Sequence, residues 1–203
     1  MPWRPHPHAR IPRMNWLAEL RVTLPDWIAS MVAPGDRFPE DDDKVRLAVR
    51  LAEENVRRRT GGPFGAAVFE AATGRIMGVG VNLVTTQRNS CLHAEMVAFM
   101  VAQQAVGMHT LYLPDGPEHI LATSCEPCAM CLGGVLWSGV RRVLSAATRE
   151  DAVALGFDEG PVFPASYRYL EERGISFAEG IRRQEARAVM QRYLAQGGAV
   201  YNG

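Results

Sequence analysis

The feature that most constrains this sequence is a histidine and two cysteines at the starts of two predicted helices. Cys128 and Cys131 are three residues apart, so on a helix both sulfur atoms lie on one side. Free N–H groups and the positive end of the helix dipole favour thiolates there, and Pro127 fits where its missing N–H costs little. His93 stands at the start of another predicted helix. One imidazole and two thiolates are donors that zinc prefers, so the pattern predicts a zinc site.

The number of protein ligands indicates what kind of zinc site this is. Three ligands leave the fourth tetrahedral position to water, as in catalytic zinc sites, and the ion lowers the pKa of that water to about 7. Positions two apart do not share a helix face, so His93 and Glu95 can meet only off the N-terminus of their helix. A carboxylate there is suited to move a proton from water to a departing amine.

The cysteines are also compatible with two other metal sites. A closed structural zinc would draw its fourth protein ligand from Cys91 or Cys125. An iron–sulfur cluster would use Cys125, Cys128 and Cys131, but Val135 stands where a fourth cysteine is expected, and no proline follows it. We therefore expect Cys91 and Cys125 to be small buried packing residues rather than ligands.

Hydrophobic periodicity and turn residues predict alternating strands and helices. The predicted helices cover residues 42–59, 93–106, a segment starting near 128, 164–173 and 182–195. The predicted strands cover residues 64–70, 76–82, 120–124, 142–147 and 175–179, and residues 85–90 are predicted to form a polar loop. This order predicts an α/β domain in which helices cover a mixed sheet.

Length and charge limit the classes of protein to consider. The chain has 203 residues, of which 47% are apolar, and this suits one globular domain. A formal net charge of zero disfavours a protein that grips a phosphate backbone. There is neither an apolar run long enough for a membrane span nor a secretory signal, so we expect a cytoplasmic location. We divide the chain into a partly disordered N-terminal extension (1–40), a zinc domain (41–181), and a C-terminal helix and tail (182–203).

Further characteristic segments accompany the metal motif. They are Gly62-Pro63-Phe64-Gly65-Ala66, Asn82, His93-Ala94-Glu95, the run from Glu126 to Gly133, and Ala154-Leu155-Gly156-Phe157-Asp158. Together they resemble the cytidine deaminase-like superfamily, and more closely its bacterial guanine deaminases, over about residues 45–158. The resemblance implies a three-layer α/β/α domain with a mixed sheet of about five strands. It also implies Zn²⁺ held by His93, Cys128 and Cys131, with Glu95 as the proton shuttle.

The resemblance further implies which residues bind the substrate. Asn82 would hydrogen-bond the edge of a purine base, because its amide offers a donor and an acceptor; alternatively it forms a turn at the end of a strand. Phe64 and Trp137 would enclose the base, although each would also suit a core position. Ala94 is expected to contact the substrate as well.

Two segments near the C-terminus would complete the implied site. Glu159 would be a second proton carrier near the leaving amine; by itself it would be interpreted as a solvated loop acid. The tail that starts at Gly197 and contains Tyr201 would form a lid, reaching the partner subunit's site in a domain-swapped homodimer. The alternative for the tail is a frayed terminus.

Three functions are compatible with these patterns. The first is zinc-dependent hydrolytic deamination of a free purine base, guanine, to xanthine and ammonia, with a triazine amine such as ammeline as a secondary substrate. The second is deamination of adenosine in tRNA, which the zinc motif alone does not separate from the first, although the neutral charge and residues 156–160 disfavour it. The third is a non-catalytic binding module stabilised by zinc, which would unfold on chelation.

Overall fold

The computed structural model describes residues 19–201. Residues 1–18, which contain much of the predicted disordered extension, lie outside this range, as do residues 202–203 of the predicted tail. After a 3₁₀ helix at Asp26–Ser30, the elements are α1 (Asp41–Arg57), β1 (Gly65–Glu70), β2 (Ile76–Val81), α2 (Val84–Gln87), α3 (Ala94–Val106), β3 (His119–Cys125), α4 (Ala129–Ser138), β4 (Arg142–Ala147), α5 (Arg149–Ala154), α6 (Pro164–Glu171), β5 (Ser176–Ala178) and α7 (Arg183–Ala195).

The five strands form one mixed sheet in the order β2-β1-β3-β4-β5. Strand β1 pairs antiparallel with both β2 and β3, whereas β3 pairs parallel with β4 and β4 parallel with β5. The strands β1, β3 and β4 are buried along nearly their whole length, as expected for a sheet covered on both faces. The predicted mixed sheet of about five strands is confirmed.

Helices cover both faces of the sheet and make three layers. One apolar core lies between the sheet and helices α1 and α7, and a second lies beneath α3 and α4. Helix α3 approaches β2 closely because that strand carries glycines: a methyl group at Gly80 would lie 2.1 Å from the carbonyl oxygen of Ala94. This contact fixes the start of α3 against the end of β2. The three-layer α/β/α prediction is confirmed.

Three short elements were not predicted from the sequence. The first is α2, which occupies Val84–Gln87. The prediction of a polar loop at residues 85–90 is therefore partly wrong. The side chain of Asn82 accepts a hydrogen bond from the N–H of Val84 and so favours a turn there. Helix α5 begins with a capping box formed by Thr148 and Asp151. The third is the 3₁₀ helix at Asp26–Ser30.

The topology brings several element ends to one edge of the sheet. Strands β2, β3 and β4 end there, β1 begins there, and helices α3 and α4 start just beyond that edge. Both predicted metal-binding segments therefore meet at one place. Among residues 19–201, the helices are all too short or too polar to traverse a bilayer.

Candidate active site

The three predicted metal ligands converge. His93 is the N-cap residue of α3 and Cys128 that of α4, and neither side chain makes a capping hydrogen bond. The Nδ1 atom of His93 lies 3.5 Å from Sγ of Cys128 and 3.6 Å from Sγ of Cys131. Tetrahedral ligands bonded to zinc at about 2.0–2.3 Å would stand roughly 3.3–3.8 Å apart, so this donor set fits the ion.

The first turn of α3 brings Glu95 to the same point. Its side chain is buried, its Oε1 atom accepts a hydrogen bond from Oγ1 of Thr123 at 3.3 Å, and its Oε2 atom lies 3.4 Å from Sγ of Cys131. Burial raises the pKa of the Glu95 carboxyl, and the nearby Cys128 raises it further. His93 and Glu95 thus converge off the end of their helix, as their spacing predicted. A buried carboxyl with a raised pKa is suited to accept and return a proton.

The two cysteine thiols differ in acidity. A hydrogen bond from Cys131 is the largest of the effects that lower the pKa of Cys128 to about 4, and His93 contributes in the same direction. The pKa of Cys131 is raised by the hydrogen bond between Cys131 and Cys128 and by the burial of Cys131. Cys128 is therefore the thiol most ready to bind a metal ion as thiolate.

A pocket opens directly beside these residues. The space between its walls, which includes some of the solvent at its mouth, amounts to about 420 Å³. It is lined by Phe64, Asn82, His93, Glu95, Cys125, Glu126, Cys128, Phe157, Asp158, Glu159 and Tyr201. The predicted residues Phe64, Asn82, Glu159 and Tyr201 are thus brought together with the metal ligands.

Another part of the pocket wall carries a buried amide. Asn82 is fully buried at the end of β2, and its Oδ1 atom accepts a hydrogen bond of 3.3 Å from the N–H of Val84. Its Nδ2 atom is buried and has no hydrogen-bond partner among the described residues. The side chain therefore both forms the predicted turn and leaves a donor for a ligand. Phe64 packs edge-to-face on Phe157, with ring centroids 5.2 Å apart, and together they make this wall apolar.

The aromatic ring of Tyr201 covers the pocket. Its centroid lies 6.2 Å from that of Phe157 and 6.5 Å from that of His93. Its hydroxyl is buried and lacks a hydrogen-bond partner within residues 19–201. Up to Tyr201 the tail is therefore packed against the pocket rather than frayed. The exchange of tails between subunits stays a prediction.

Glu159 lies on the loop between α5 and α6 and faces the pocket. It is only 9% exposed, which excludes the solvated loop acid considered above. Its backbone carbonyl accepts a hydrogen bond of 2.9 Å from the N–H of Ala129, so the loop is bonded to the first turn of α4. Burial raises the pKa of Glu159 to about 8, so at neutral pH the carboxyl holds a proton.

Three residues lie elsewhere than predicted. Trp137 is 79% exposed, because α4 directs Cys131 toward the site and places Trp137, six residues later, on another face. The side chain of Ala94 packs in the core beneath α3 and does not line the pocket. Cys91 is exposed in the loop before α3, so its predicted burial is wrong, whereas Cys125 is buried as predicted.

Sequence reasoning missed several residues of the site. Phe157 lines the pocket, and its signal in the sequence is that it is the one aromatic residue among residues 154–158. Glu126 lines the pocket and accepts a hydrogen bond of 3.2 Å from the N–H of Arg149. The signal in the sequence for Glu126 was a charged residue directly before Pro127, next to the predicted metal ligands. Thr123, the partner of Glu95, lies inside a strand and has no such signal.

The comparisons with known proteins agree with this geometry. Residues 39–147 match the family described as the cytidine and deoxycytidylate deaminase zinc-binding region. The chain belongs to this family. Its zinc-binding character confirms the predicted Zn²⁺ cofactor, and the resemblance that the motifs indicated is confirmed as well.

Individual relatives narrow the similarity. The chain is 39% identical to the guanine deaminase of Bacillus subtilis over 133 residues. The aligned region covers 66% of this chain and 81% of that protein. The structure of a guanine deaminase from Nitrosomonas europaea is 35% identical, covers 90% of this chain and 100% of that one, and superposes with a TM-score of 0.84. A tRNA-specific adenosine deaminase of Buchnera aphidicola is 26% identical over 133 residues, or 65% of this chain and 80% of that protein.

Proposed function

We propose that this protein is a guanine deaminase, which converts guanine and water into xanthine and ammonia. The observation that carries the proposal is the joining, in one pocket, of a zinc-type donor set and the buried Glu95 with the unpartnered amide of Asn82. Two of the similar proteins bear the name guanine deaminase. A further similar structure, 37% identical with a TM-score of 0.83, is a complex with 2,6-diaminopurine.

The metal ion would be held by His93, Cys128 and Cys131. The chemistry that such an ion supplies is a water molecule acidic enough to act as nucleophile at neutral pH. Glu95 takes the proton of the attacking water and delivers it to the ring nitrogen beside the amino-bearing carbon. Its buried carboxyl, with a raised pKa, both accepts and returns a proton easily, and Thr123 holds one of its oxygen atoms.

The departing amine needs a proton before it leaves as ammonia. Glu159 holds one at neutral pH, because burial raises its pKa to about 8. Its loop is tied to the first turn of α4 by the hydrogen bond from Ala129. We assign Glu159 the role of second proton carrier, beside the route through Glu95.

Recognition of the base would rest on the wall that carries the Asn82 amide. With Oδ1 bonded to the backbone, Asn82 offers its Nδ2–H to an acceptor such as the carbonyl oxygen or an unprotonated ring nitrogen of guanine. Phe64 and Phe157 enclose the flat apolar ring. Tyr201 closes the pocket above them, an arrangement that suits a free base better than a base attached to a polynucleotide.

The direct test is the release of ammonia and xanthine from guanine by the purified protein, with a tRNA substrate tested in parallel. Glu95→Gln should lower kcat by about 10²–10⁴-fold, because proton transfer to and from the water is lost. The variant should still contain one zinc ion and bind 2,6-diaminopurine. Inosine formation in tRNA without turnover of guanine would reverse the assignment, and near-normal turnover by Glu95→Gln would remove Glu95 from the mechanism.

Ammeline is proposed as a secondary substrate, because a triazine ring is smaller than a purine and carries the same kind of amino group. The same ammonia assay tests it. The homodimer, the exchange of C-terminal tails and the cytoplasmic location remain predictions.

A further inference from the structure

A second buried amide lies behind the wall that would bind the base. Asn55 is fully buried in α1 and does not line the pocket. Its Nδ2 atom donates hydrogen bonds to two backbone carbonyls, that of Gly62 at 2.8 Å and that of Asn82 at 2.9 Å. These carbonyls belong to two different segments, the loop before β1 and the end of β2. One side chain of α1 thus joins the two segments that form this wall.

The orientation of this amide is set from behind by two further donors. The Oδ1 atom of Asn55 accepts a hydrogen bond of 2.7 Å from Oγ1 of Thr60, and Nε1 of Trp27 donates to the same hydroxyl at 3.1 Å. Because Trp27 can only donate, Thr60 directs its own hydrogen to Asn55, and Asn55 must then present its NH₂ group to the two carbonyls. The chain of hydrogen bonds has a single direction from Trp27 to the pocket wall.

Small displacements of these two carbonyl groups would also move atoms of the residues that line the pocket. A methyl group at Gly62 would lie 2.3 Å from the hydroxyl oxygen of Tyr201 and 2.9 Å from Oδ1 of Asn82. A methyl group at Gly61 would lie 1.8 Å from the carbonyl oxygen of Asn82. The loop therefore packs against the Asn82 amide and the Tyr201 hydroxyl, which belong to two residues that line the pocket. Its position determines where the Asn82 amide and the Tyr201 ring can lie.

We propose that Asn55, held by Thr60 and Trp27, is a positioning residue for recognition of the base. It does not touch the substrate; it sets the separation between the Asn82 amide and the seat of Tyr201. The proposal rests on the proposed function only in the identity of the base. It predicts that loosening this chain of hydrogen bonds weakens binding while the proton transfers at Glu95 continue.

Thr60 offers a matched pair of variants, since it lies outside the pocket. Thr60→Val removes the hydroxyl at nearly constant shape, whereas Thr60→Ser keeps it. Losing a buried hydrogen bond of this kind costs enough to raise KM for guanine about tenfold, with kcat changed by about twofold or less. Thr60→Ser should leave KM within about twofold of the parent value. Trp27→Phe, which removes only the outer donor, should raise KM by a smaller factor and serves if Thr60→Val folds poorly.

A double-mutant cycle separates positioning from general stabilisation. In an Asn82→Ala background the amide to be positioned is gone, so Thr60→Val should change KM by about twofold or less. A tenfold rise in KM that persists in that background, or a fall in kcat in place of a rise in KM, would overturn the proposal. If the parent protein does not turn over guanine, the proposed function fails, and the same cycle is then measured with the Kd of 2,6-diaminopurine. Equal Kd values for parent and Thr60→Val would end the proposal independently.

Discussion

The two halves of the pocket are built in opposite ways. In the metal half, His93, Cys128 and Cys131 stand in the first turns of two helices, and their donor atoms lie within 4.8 Å of one another. In the base half, the lining residues come from segments far apart in the chain, from Phe64 to Tyr201. Within residues 19–201, both the amide nitrogen of Asn82 and the hydroxyl of Tyr201 are buried there without hydrogen-bond partners.

This difference indicates which interactions supply the free energy of ligand binding in each half. The thiols and imidazole of the metal half contact one another and are ready for a cation. In the base half, the Asn82 amide nitrogen and the Tyr201 hydroxyl have no partner among residues 19–201, so a bound base can form new hydrogen bonds with them. The metal half should therefore determine turnover, and the base half affinity.

Removal of zinc should have the largest effect and would break the comparison if it failed. Chelation should abolish measurable deamination, because no side chain replaces the activated water. The fold should persist, since both apolar cores lie between the sheet and the helices and do not depend on the metal ligands. Ammonia release and far-UV circular dichroism, before and after chelation and after zinc is restored, provide the measurement. Unfolding on chelation would instead support a structural zinc module.

Asn82 variants should affect the base half alone. Asn82→Ala should raise KM for guanine about 10–100-fold and leave the zinc content unchanged, because the unpaired donor is lost. Asn82→Asp keeps an acceptor for the N–H of Val84 and replaces the NH₂ donor by a carboxylate oxygen, so it separates recognition from the turn at the start of α2. Titration of bound zinc alongside the kinetics checks both variants. A normal KM in both would show that the base is recognised by other groups.

An ion pair between the buried Asp151 and the half-exposed Arg183 should stabilise the elements that lead to the base half. Asp151 in α5 accepts hydrogen bonds from Nε and Nη2 of Arg183 in α7, at 2.7 and 3.0 Å. The loop with Glu159 follows α5, and the tail with Tyr201 follows α7. The pair therefore connects the two elements that precede these residues.

Arg183 is the main cause that lowers the pKa of Asp151 from 3.8 to about 2. Because the folded-state pKa is lowered, the stabilisation is present above about pH 4 and is lost as the pH falls from 3.8 toward 2. Asp151→Asn should reduce the free energy of unfolding at pH 7 by about 1–2 kcal/mol, an amount that allows for screening at the half-exposed Arg183. Urea denaturation of the parent protein and of Asp151→Asn, from pH 7 downward, measures the difference between their free energies of unfolding. If this difference does not become smaller below pH 4, packing rather than charge is responsible.

Removal of the Tyr201 hydroxyl should have the smallest effect and sharpens the comparison. Tyr201→Phe should leave the ligand-free protein as stable as before or stabilise it by up to about 1 kcal/mol, because an unpaired buried group is removed. If the hydroxyl pairs with the base, KM should rise about threefold to tenfold while kcat stays unchanged. Thermal denaturation with and without 2,6-diaminopurine compares the two states. A fall in stability without ligand would mean that the hydroxyl already has a partner.

Several elements could be predicted because their signals are local. The bounds of β4 agree with the prediction at both ends, and α3 begins one residue after the predicted start. Helix α5 also had a local signal, since Thr148 and Asp151 form a capping box at the usual spacing, but the pattern was overlooked. The position of Trp137 had none, because apolar residues on α4 do not reveal which face turns toward the pocket.

The sequence by itself indicated the residues of the metal half, because the spacings of Cys128 with Cys131 and of His93 with Glu95 each fall within one helical turn. The sheet topology then brings the two helix starts together. Only the tertiary structure decided the base half. Phe157, Glu159 and Tyr201 reach the pocket because the sheet and its two helical layers bring distant segments to one edge. The physical reason is that hydrogen bonds such as those from Asn55 depend on distances between chain segments, and no local pattern of residues encodes such distances.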